Sequence, residues 1–455
     1  MSDSRRPNIV LIMTDHFRRD AVGPSTPNLM RLAERGTQFL NAYCSAPLCQ
    51  PSRTSLITGL YPSQNCICGN MSEPLRPELR DNTFMHHLQS AGYHTAMIGK
   101  HHYIDCYGLN VDVTHNDVEI GRYGFDTVFQ VADAGENLHN ADEYTHYLKK
   151  EGKLDEYRKI QAKHAEACGP YPFKEEECED GFIGRRGCEF VDGYQEDRPF
   201  YLNLSFIGPH PPYWHPGDLQ HKPEEMLGPI GVPDSHRIRE RRAHYMDKCS
   251  IIDRCVGRLI ESLEKRGILE DTVIVFISDH GDMLGDFGLW DKRFFYEASV
   301  GVPFIVSGPG IPTGSRLVPG ISQVLVSLLD LYPTLLNLAG VDPYPLMQRR
   351  DGRDILSILE GRRGSVRTAI FAELATAVMI RTGNWKLVFD PEQGGVQQLF
   401  NLTRDPQELE NLAGVSGYEQ ATSELVQQML AHRIWLTQTT HAKEEQQLQR
   451  VRVRV

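Results

Sequence analysis

One short stretch of the chain, Cys49 to Arg53, combines residue types that could do chemistry. Pro51 fits the first turn of a helix, Ser52 is expected to cap that helix, and Gly59 is typical of a helix end. Cys49 would then lie at a helix N-terminus, where unpaired backbone N–H groups and the helix dipole favour an anion and activate a thiol. Arg53 follows one helical turn later and adds a fixed positive charge. The spacing indicates a reactive cysteine; a buried structural cysteine is the alternative.

Polar residues also follow four short apolar segments of the chain. The first segment is a continuous apolar run, typical of a strand that is buried on both faces of a parallel sheet, and the other three are also predicted to be strands. Ligands of open parallel sheets bind beyond the carboxyl ends of the strands, so we expect these polar side chains to converge with Cys49. The segments and the residues that follow them are Asn8 to Met13 with Asp15 and His16, His94 to Gly99 with Lys100 to His102, Pro199 to Phe206 with His210, and Thr272 to Ser278 with Asp279 and His280.

Two of these strand ends carry an aspartate beside a histidine. Asp15, Asp279 and His280 together offer two carboxylates and an imidazole, which suit one divalent cation. A single Asp-His pair would more often be structural, but two such pairs at strand ends favour a metal site. Three further acidic residues follow closely in the sequence, and we predict that they are loop acids rather than ligands: Asp282, Asp286 and Asp291.

The stretch from Cys49 to Gly59 has the pattern C-x-P-S-R-x-x-x-x-T-G and resembles the signature of the type I sulfatases of the alkaline phosphatase superfamily. In that family a formylglycine-generating enzyme oxidises the cysteine to an aldehyde, formylglycine. The resemblance covers nearly the whole chain. The other matching elements are G-K-x-H at Gly99 to His102, P-H-x-P at Pro209 to Pro212, S-D-H-G at Ser278 to Gly281, Trp385 to Leu387, and Leu399 to Pro406.

The resemblance implies a mechanism for the cleavage of a sulfate ester. A hydrated formylglycine at position 49 carries two hydroxyls: one attacks sulfur and expels the alcohol, which leaves a covalent sulfate hemiacetal, and the second lets that hemiacetal collapse and release sulfate. In the family, lysines contact the sulfate oxygens and histidines handle protons at the nucleophile and the leaving group. We carry these roles to Lys100, Lys292, His102 and His210 only. With the nucleophile and the neighbouring arginine, the predicted catalytic residues are Cys49, Arg53, Lys100, His102, His210 and Lys292.

The resemblance also assigns a single metal, usually calcium, to the ends of two strands and to the modified cysteine. In the commonest pattern a second aspartate follows the first, whereas His16 stands at that position here. An imidazole does not bind a hard cation as a carboxylate does, so either His16 faces elsewhere or the site favours manganese or another imidazole-tolerant ion. We predict one divalent cation, calcium, with manganese as the alternative. The predicted metal ligands are Asp15, His16, Cys49, Asp279 and His280.

Composition limits the class of protein. The chain has 455 residues, of which 24% are charged and 40% hydrophobic, as in ordinary globular enzymes. A net charge of −12 without a basic block argues against a nucleic-acid partner. No apolar run is long enough to span a bilayer and no apolar signal segment is present, so we expect no membrane partner and a cytoplasmic location. The ten cysteines are then expected to be reduced thiols.

Strands that alternate with helices predict an α/β fold: a large, mostly parallel sheet flanked by helices, plus a smaller C-terminal α+β subdomain with an antiparallel sheet. We place the catalytic domain at residues 1–365 and the subdomain at residues 366–455. The polar stretch from Gly108 to Asp197 is predicted to be a solvated insertion on the rim of a pocket. Gln323 to Gly340 is predicted to be a helix.

These expectations favour a sulfuric ester hydrolase that cleaves a small sulfate monoester into an alcohol and inorganic sulfate. The first alternative is a phosphonate monoester or phosphodiester hydrolase on the same scaffold; such enzymes tend to lack the lysine of G-K-x-H, so Lys100 favours the sulfatase. The second is a metal-binding protein without activity, which only His16 supports. Aryl, sugar and alkyl sulfates all stay open as substrates, and an oligomer is compatible with the sequence.

Overall fold

The structure is a computed structural model that describes residues 6–71, 73–104, 110–133, 135–162, 168–309, 320–347, 350–362 and 364–452, without the side chains of residues 137 and 438–452. Its strands, in chain order, are β1 Asn8–Asp15, β2 Gly36–Tyr43, β3 His94–Gly99, β4 Thr127–Gln130, β5 Cys168–Tyr171, β6 Phe200–Pro209, β7 Tyr213–Pro216, β8 Thr272–Ser278, β9 Phe304–Ser307, β10 Gly320–Ser327, β11 Ala369–Leu374, β12 Ala377–Thr382, β13 Trp385–Asp390 and β14 Gly395–Asn401. Its α-helices are α1 Pro27–Glu34, α2 Cys49–Thr58, α3 Pro62–Asn65, α4 Pro77–Arg80, α5 Phe84–Ser90, α6 Asp117–Gly121, α7 Glu143–Lys150, α8 Leu154–Gln161, α9 Glu179–Gly193, α10 His236–Lys265, α11 Glu297–Val300, α12 Leu331–Leu338, α13 Leu356–Leu359 and α14 Glu419–Arg452.

Eight strands form the central sheet, in the order β10-β2-β9-β8-β1-β6-β3-β4. Its pairings are parallel except at β9, which runs antiparallel to both β2 and β8. A separate sheet, β11-β12-β13-β14, is antiparallel throughout. The predicted fold class, a large mostly parallel sheet with a smaller antiparallel unit near the C-terminus, is confirmed.

Strand β1 is apolar without interruption because both of its faces are covered. Ile9, Leu11 and Met13 belong to the core on one face of the sheet, whereas Val10 and Ile12 belong to the core on the other face. Such double burial fits a strand in the middle of a parallel sheet, and β1 indeed lies between β8 and β6. The carboxyl end of β1 is therefore held firmly at the centre of one sheet edge.

The stretch from Gly108 to Asp197 is not a solvated insertion in its described part. Strand β4 pairs with β3 at the edge of the central sheet, and helix α9 packs on β6. Tyr144, Tyr157 and Phe182 are buried in the core on that face. The prediction is wrong because a few large aromatic side chains supply the buried area that a long apolar run would otherwise give.

The segment from Gln323 to Gly340 is not a single helix. It contains the end of β10, which runs parallel to β2, a short 3-10 turn, and helix α12. Ser327 separates the strand from the turn, since its hydroxyl accepts a hydrogen bond from the N–H of Leu329 at 3.3 Å. The apolar run before Ser327 contains two valines, and β-branched residues favour a strand.

Three other expectations concern the whole chain. Within the described residues, no helix combines the length and the apolar composition that crossing a membrane requires. Nine of the cysteines are free thiols, and the tenth, Cys106, lies outside the described residues. The predicted domain boundary at residue 365 falls between α13 and β11, and it stays a prediction.

Candidate active site

The carboxyl ends of four neighbouring strands, β8, β1, β6 and β3, meet at one edge of the central sheet. The register of β1 against β8 places Asp15 beside Asp279, each one residue beyond the last aligned pair. Asp15 also lies opposite Pro209, the residue before His210. Lys100 extends β3 alongside β6. The structure thus gathers at one place side chains that are far apart in the sequence.

Helix α2 brings Cys49 to this edge as its first residue. Gly59 follows the helix with φ 67°, a left-handed conformation that glycine adopts readily. Ser52 does not cap the helix; its hydroxyl donates to the backbone carbonyl of Asp279 at 2.6 Å. That hydrogen bond fastens the first turn of α2 to the end of β8, and all ten residues of the helix are buried.

Four groups at this edge lie close enough to share one metal ion. One ligand atom from each of Asp15, Cys49, Asp279 and His280 lies within 4.8 Å of the other three. The Cys49 Sγ is 3.2 Å from His280 Nε2 and 3.7 Å from Asp15 Oδ1. All four residues are buried, and buried carboxylates need compensating positive charge. The donor set, two carboxylates and an imidazole, therefore fits a divalent cation.

His16 lies beside Asp15 but outside that group of four. Its Nε2 is 3.7 Å from Asp15 Oδ1, whereas its Nδ1 is 2.7 Å from Asp282 Oδ2. Burial and the neighbouring Lys292 and His210 lower the pKa of the His16 imidazole well below its usual range. His16 is therefore neutral at neutral pH.

Two of the three acids predicted to lie in loops are instead buried. Asp282 accepts a hydrogen bond from Tyr213 Oη at 3.3 Å and lies against His16. Asp286 forms an ion pair with Arg18 at 2.7 Å. Asp282 lies in the loop after β8, Asp286 starts a short 3-10 turn, and neither belongs to the group of four. Each is nevertheless enclosed by charged or polar partners that the sequence does not reveal. Asp291 keeps a half-exposed side chain.

Arg53 makes its hydrogen bonds to the strand ends rather than to the thiol. Its Nε donates to Asp279 Oδ2 at 2.7 Å, and its Nη1 donates to the carbonyl of Lys100 at 3.0 Å and to Ser205 Oγ at 2.9 Å. The third nitrogen, Nη2, is buried and has no hydrogen-bond partner among the described residues. It is therefore available to donate to an anion in the site.

Lys100 lies between two carboxylates. Its Nζ donates to Asp15 and, at 2.6 Å, to Asp133 Oδ1. The same Asp133 approaches His102, with Oδ2 3.4 Å from Nδ1. Asp133 was not among the predicted site residues. Asp133 lies three residues beyond the end of β4, whereas Asp15 is the last residue of β1. Only four residues form β4, so the apolar signal that marked the other strand ends is weak.

Lys292 reaches the centre of the site from the loop after β8. Its Nζ lies 3.1 Å from Cys49 Sγ, 3.1 Å from His210 Nε2 and 2.8 Å from His16 Nε2. The Nδ1 of His210 is 2.6 Å from the carbonyl of Pro211. Burial and Lys292 lower the pKa of His210 to about 4, so this imidazole is also neutral at neutral pH.

The positive groups change the acidity of residue 49. Burial and Asp15 raise the pKa of the Cys49 thiol, but Lys100, Lys292 and His280 outweigh them and hold it well below its usual range. Burial lowers the pKa of His280, while Asp279 and Cys49 raise it to a net value of about 9. The site thus favours negative charge at position 49, as a nucleophile or an anionic substrate requires.

The family model described as Sulfatase matches residues 7–341. The chain belongs to the sulfatase family. A second model, N-sulphoglucosamine sulphohydrolase, C-terminal, matches residues 285–434 of this sulfatase. The predicted family is therefore confirmed, and with it the predicted kind of enzyme, a hydrolase of sulfate esters.

Several known proteins resemble this sulfatase over nearly their full lengths. A choline-sulfatase of Rhizobium meliloti is 33% identical, with 90% of this chain and 82% of the relative covered. An arylsulfatase of Clostridium perfringens is 28% identical, with 91% and 92% covered. Among solved structures, the phosphonate monoester hydrolase of Agrobacterium radiobacter shares the fold with a TM-score of 0.77 and 23% identity, over 95% of this chain and 96% of that one.

Proposed function

We propose that this sulfatase hydrolyses a sulfate monoester with a formylglycine made from Cys49 and with one divalent cation. The observation that carries the proposal is the surroundings of Cys49: it starts a buried helix and lies within hydrogen-bonding distance of Lys292 and His280. Lys100 and Arg53 add positive charge around it. An anion such as sulfate is stabilised by this charge and by the end of α2.

The cation would be held by Asp15, Asp279, His280 and residue 49. When bound, it supplies positive charge that polarises a sulfate oxygen and favours ionisation of a nearby hydroxyl. Calcium is the proposed ion and manganese the alternative. Two of these ligands are oriented before binding, because the carboxylate of Asp279 is held by Arg53 and the Nδ1 of His280 lies 2.9 Å from the carbonyl of Gly281.

Formylglycine at position 49 would supply a hydrated aldehyde with two hydroxyls. One hydroxyl would attack sulfur, and the other would allow the sulfate to be released in a second step. The chain's own groups then have separate tasks. Arg53 Nη2, Lys100 Nζ and Lys292 Nζ donate hydrogen bonds to the sulfate oxygens. Lys292 or His210 protonates the oxygen of the departing alcohol, and His102 is the proposed base for the second step.

The test of the nucleophile is mass spectrometry of the peptide that contains residue 49. Protein made in a host with a formylglycine-generating enzyme is expected to carry the aldehyde, and its activity is expected to rise in proportion to the modified fraction. The matched control is Cys49→Ser, which should fold and bind the cation but turn over no substrate. Active protein in which residue 49 is entirely unmodified thiol would refute the proposed nucleophile.

The substrate is proposed from the names of the relatives. Choline sulfate and an aryl sulfate are the first esters to compare, since one relative is called a choline-sulfatase and another an arylsulfatase. The comparison should include matched phosphate diesters and phosphonate monoesters, because a phosphonate monoester hydrolase shares the fold. Faster cleavage of a phosphonate or diester than of every sulfate would favour that second function. A cytoplasmic location stays a prediction.

A further inference from the structure

His16 stands where the commonest pattern of the family has a second aspartate, and the structure gives it a different set of partners. It is the residue directly after β1, is fully buried, and has φ 67°. A left-handed backbone is unfavourable for a residue with a side chain, so surrounding contacts must hold it there. One such contact is the hydroxyl of Tyr245, which donates to the carbonyl of His16 at 2.9 Å.

The hydrogen bonds of the ring fix its tautomer. Asp282 Oδ2, at 2.7 Å from Nδ1, is a carboxylate oxygen and can only accept, so Nδ1 of His16 carries the proton. In the neutral imidazole the other nitrogen, Nε2, then has a free lone pair. Two groups face Nε2: Lys292 Nζ at 2.8 Å and Asp291 Oδ1 at 3.2 Å. The ammonium is the nearer group and can only donate, so Nε2 accepts a hydrogen bond from it.

The ammonium of Lys292 therefore has three acceptors for its three N–H groups. Besides His16 Nε2, these are Cys49 Sγ and His210 Nε2, each at 3.1 Å. His210 Nδ1 is 2.6 Å from a carbonyl, which leaves its Nε2 as the acceptor. Asp291 Oδ1 lies 3.8 Å from Lys292 Nζ and adds negative charge on the open side. Removal of any one acceptor would let the flexible lysine turn away.

The lone pair of His16 Nε2 cannot bind a metal ion while it accepts a hydrogen bond from Lys292. Asp15, Cys49, Asp279 and His280 converge without His16, and the ring points its Nε2 at Lys292 instead. An ionised aspartate at this position has no N–H or O–H group to donate to Asp282. His16 thus connects Asp282, at its Nδ1, to Lys292, at its Nε2.

We infer that His16, oriented by Asp282, is a positioning residue that holds Lys292 towards residue 49 and His210, and that it is not a ligand of the cation. The inference rests on the proposed function, since it concerns how Lys292 protonates the alcohol that leaves the sulfate ester. As the S–O bond breaks, a proton from Lys292 Nζ goes to the departing alcohol oxygen, and the neutral lysine later regains a proton from water. A displaced lysine slows that transfer.

The decisive variant is His16→Asn. Asparagine tolerates the left-handed backbone and keeps an N–H donor near Asp282, but it has no atom at the position of Nε2. The expected result is an unchanged cation content per chain, an unchanged KM, and a kcat for an alkyl sulfate that falls by about 100-fold, the scale of one general acid. For nitrophenyl sulfate, whose alcohol leaves without protonation, kcat should fall by less than about 5-fold.

A second variant keeps the test valid if His16→Asn does not fold. Asp282→Asn leaves the histidine in place but no longer fixes its tautomer, and the same split between alkyl and nitrophenyl esters is expected with a loss of about 10-fold. His432→Asn, on the distant C-terminal helix, is the matched control for loss of a largely buried histidine. The activity of His432→Asn on both esters should equal that of the protein without any substitution.

Two results would overturn the inference. One is loss of the cation from His16→Asn in protein that keeps its near-UV spectrum, which would make His16 a ligand. The other is an equal fall of kcat for both esters. Metal analysis needs no turnover, so it still decides the ligand question if the chain proves inactive on every sulfate, a result that would instead count against the proposed function.

Discussion

The ammonium of Lys100 has two carboxylate partners, Asp15 and Asp133, and is almost fully buried. This ammonium lies beside residue 49. Burial lowers the pKa of Lys100, but Asp133 and Asp15 stabilise the protonated form and raise that pKa above its usual value. We expect Lys100→Ala to lower kcat/KM for an aryl sulfate by about 100-fold, which corresponds to about 3 kcal/mol of transition-state stabilisation. Steady-state kinetics on purified, modified protein measure this loss.

The control for that experiment is Lys265→Ala, which removes an exposed lysine at the end of α10. It should leave kcat/KM unchanged. The opposite result is that Lys100→Ala hydrolyses sulfate esters as fast as the protein without any substitution. That result would contradict the role of Lys100 and would weaken the argument against a phosphonate hydrolase.

Asp279 is the carboxylate on which the proposed cation site depends most. It is one of the four converging groups and also receives the hydrogen bond from Arg53 Nε. Asp279→Asn keeps the size of the side chain but removes its charge, so we expect the metal content per chain to fall to near zero and turnover to stop. Metal analysis after dialysis checks the first result, and Asp218→Asn, at an exposed position, is the control. Stoichiometric metal in Asp279→Asn would exclude the proposed site.

The sequence predicted the residues at strand ends better than their partners. Asp15, Lys100, His210 and Asp279 were predictable because an apolar run followed by a polar residue marks a strand end. Asp133 was missed because the strand before it is short and lies in a polar stretch. The predicted roles of all these residues stay predictions.

At the scale of elements, a buried charge network joins the C-terminal sheet to the loop that carries Lys292. Lys386, on β13, is fully buried; its Nζ lies 2.8 Å from Glu297 Oε1 and 2.5 Å from Glu408 Oε1 and donates to the carbonyl of Phe295 at 2.7 Å. Burial raises the pKa of Glu297, but Lys386 and Arg19 outweigh it and hold that pKa well below its usual range. The carboxylate of Glu297 is therefore ionised and depends on these cations.

We expect Lys386→Met to reduce the free energy of unfolding by about 3 kcal/mol, because it removes the cation that the buried Glu408 and the partly buried Glu297 share. Urea denaturation followed by circular dichroism measures the change. The double variant Lys386→Met with Glu408→Gln should recover part of the loss, since it removes one of the two stranded charges. A stability equal to that of the unmodified chain in the single variant would show that the network contributes nothing.

Elements with a regular apolar pattern were predicted closely, and those that depend on distant contacts were not. Strand β8 consists of continuous apolar residues between a threonine and a serine, and its predicted limits, Thr272 to Ser278, agree with the structure. The part of strand β10 from Gln323 onwards was predicted as helix, because its pairing with β2 is a long-range contact. Local pattern alone cannot report such a partner.

At the scale of the molecule, the two sheets share a core. Ile370 and Met379 of the C-terminal sheet belong to the same buried cluster as Leu11 and Val275 of the central sheet. The N–H of Glu373, on β11, donates to the carbonyl of Ser45 at 2.8 Å. The predicted units 1–365 and 366–455 are therefore expected to fold together rather than separately.

A truncated chain of residues 1–365 tests that expectation. It would expose the apolar surface that the C-terminal sheet covers, so we expect it to aggregate or to lack a cooperative thermal transition. The full chain should unfold in a single transition. Size-exclusion chromatography and near-UV circular dichroism compare the two, and a monomeric fragment with a native-like spectrum would contradict the prediction.

The complete burial of helix α2 also sets an order of events during synthesis. Every residue from Cys49 to Thr58 is enclosed in the finished fold, so an oxidising enzyme could not reach the Cys49 thiol there. On the proposed function, oxidation of Cys49 is therefore expected to precede folding of this segment. A molecule that folds first would keep its thiol and would be inactive, although its fold would be the same. Addition of the oxidising enzyme to folded protein is then not expected to raise its activity.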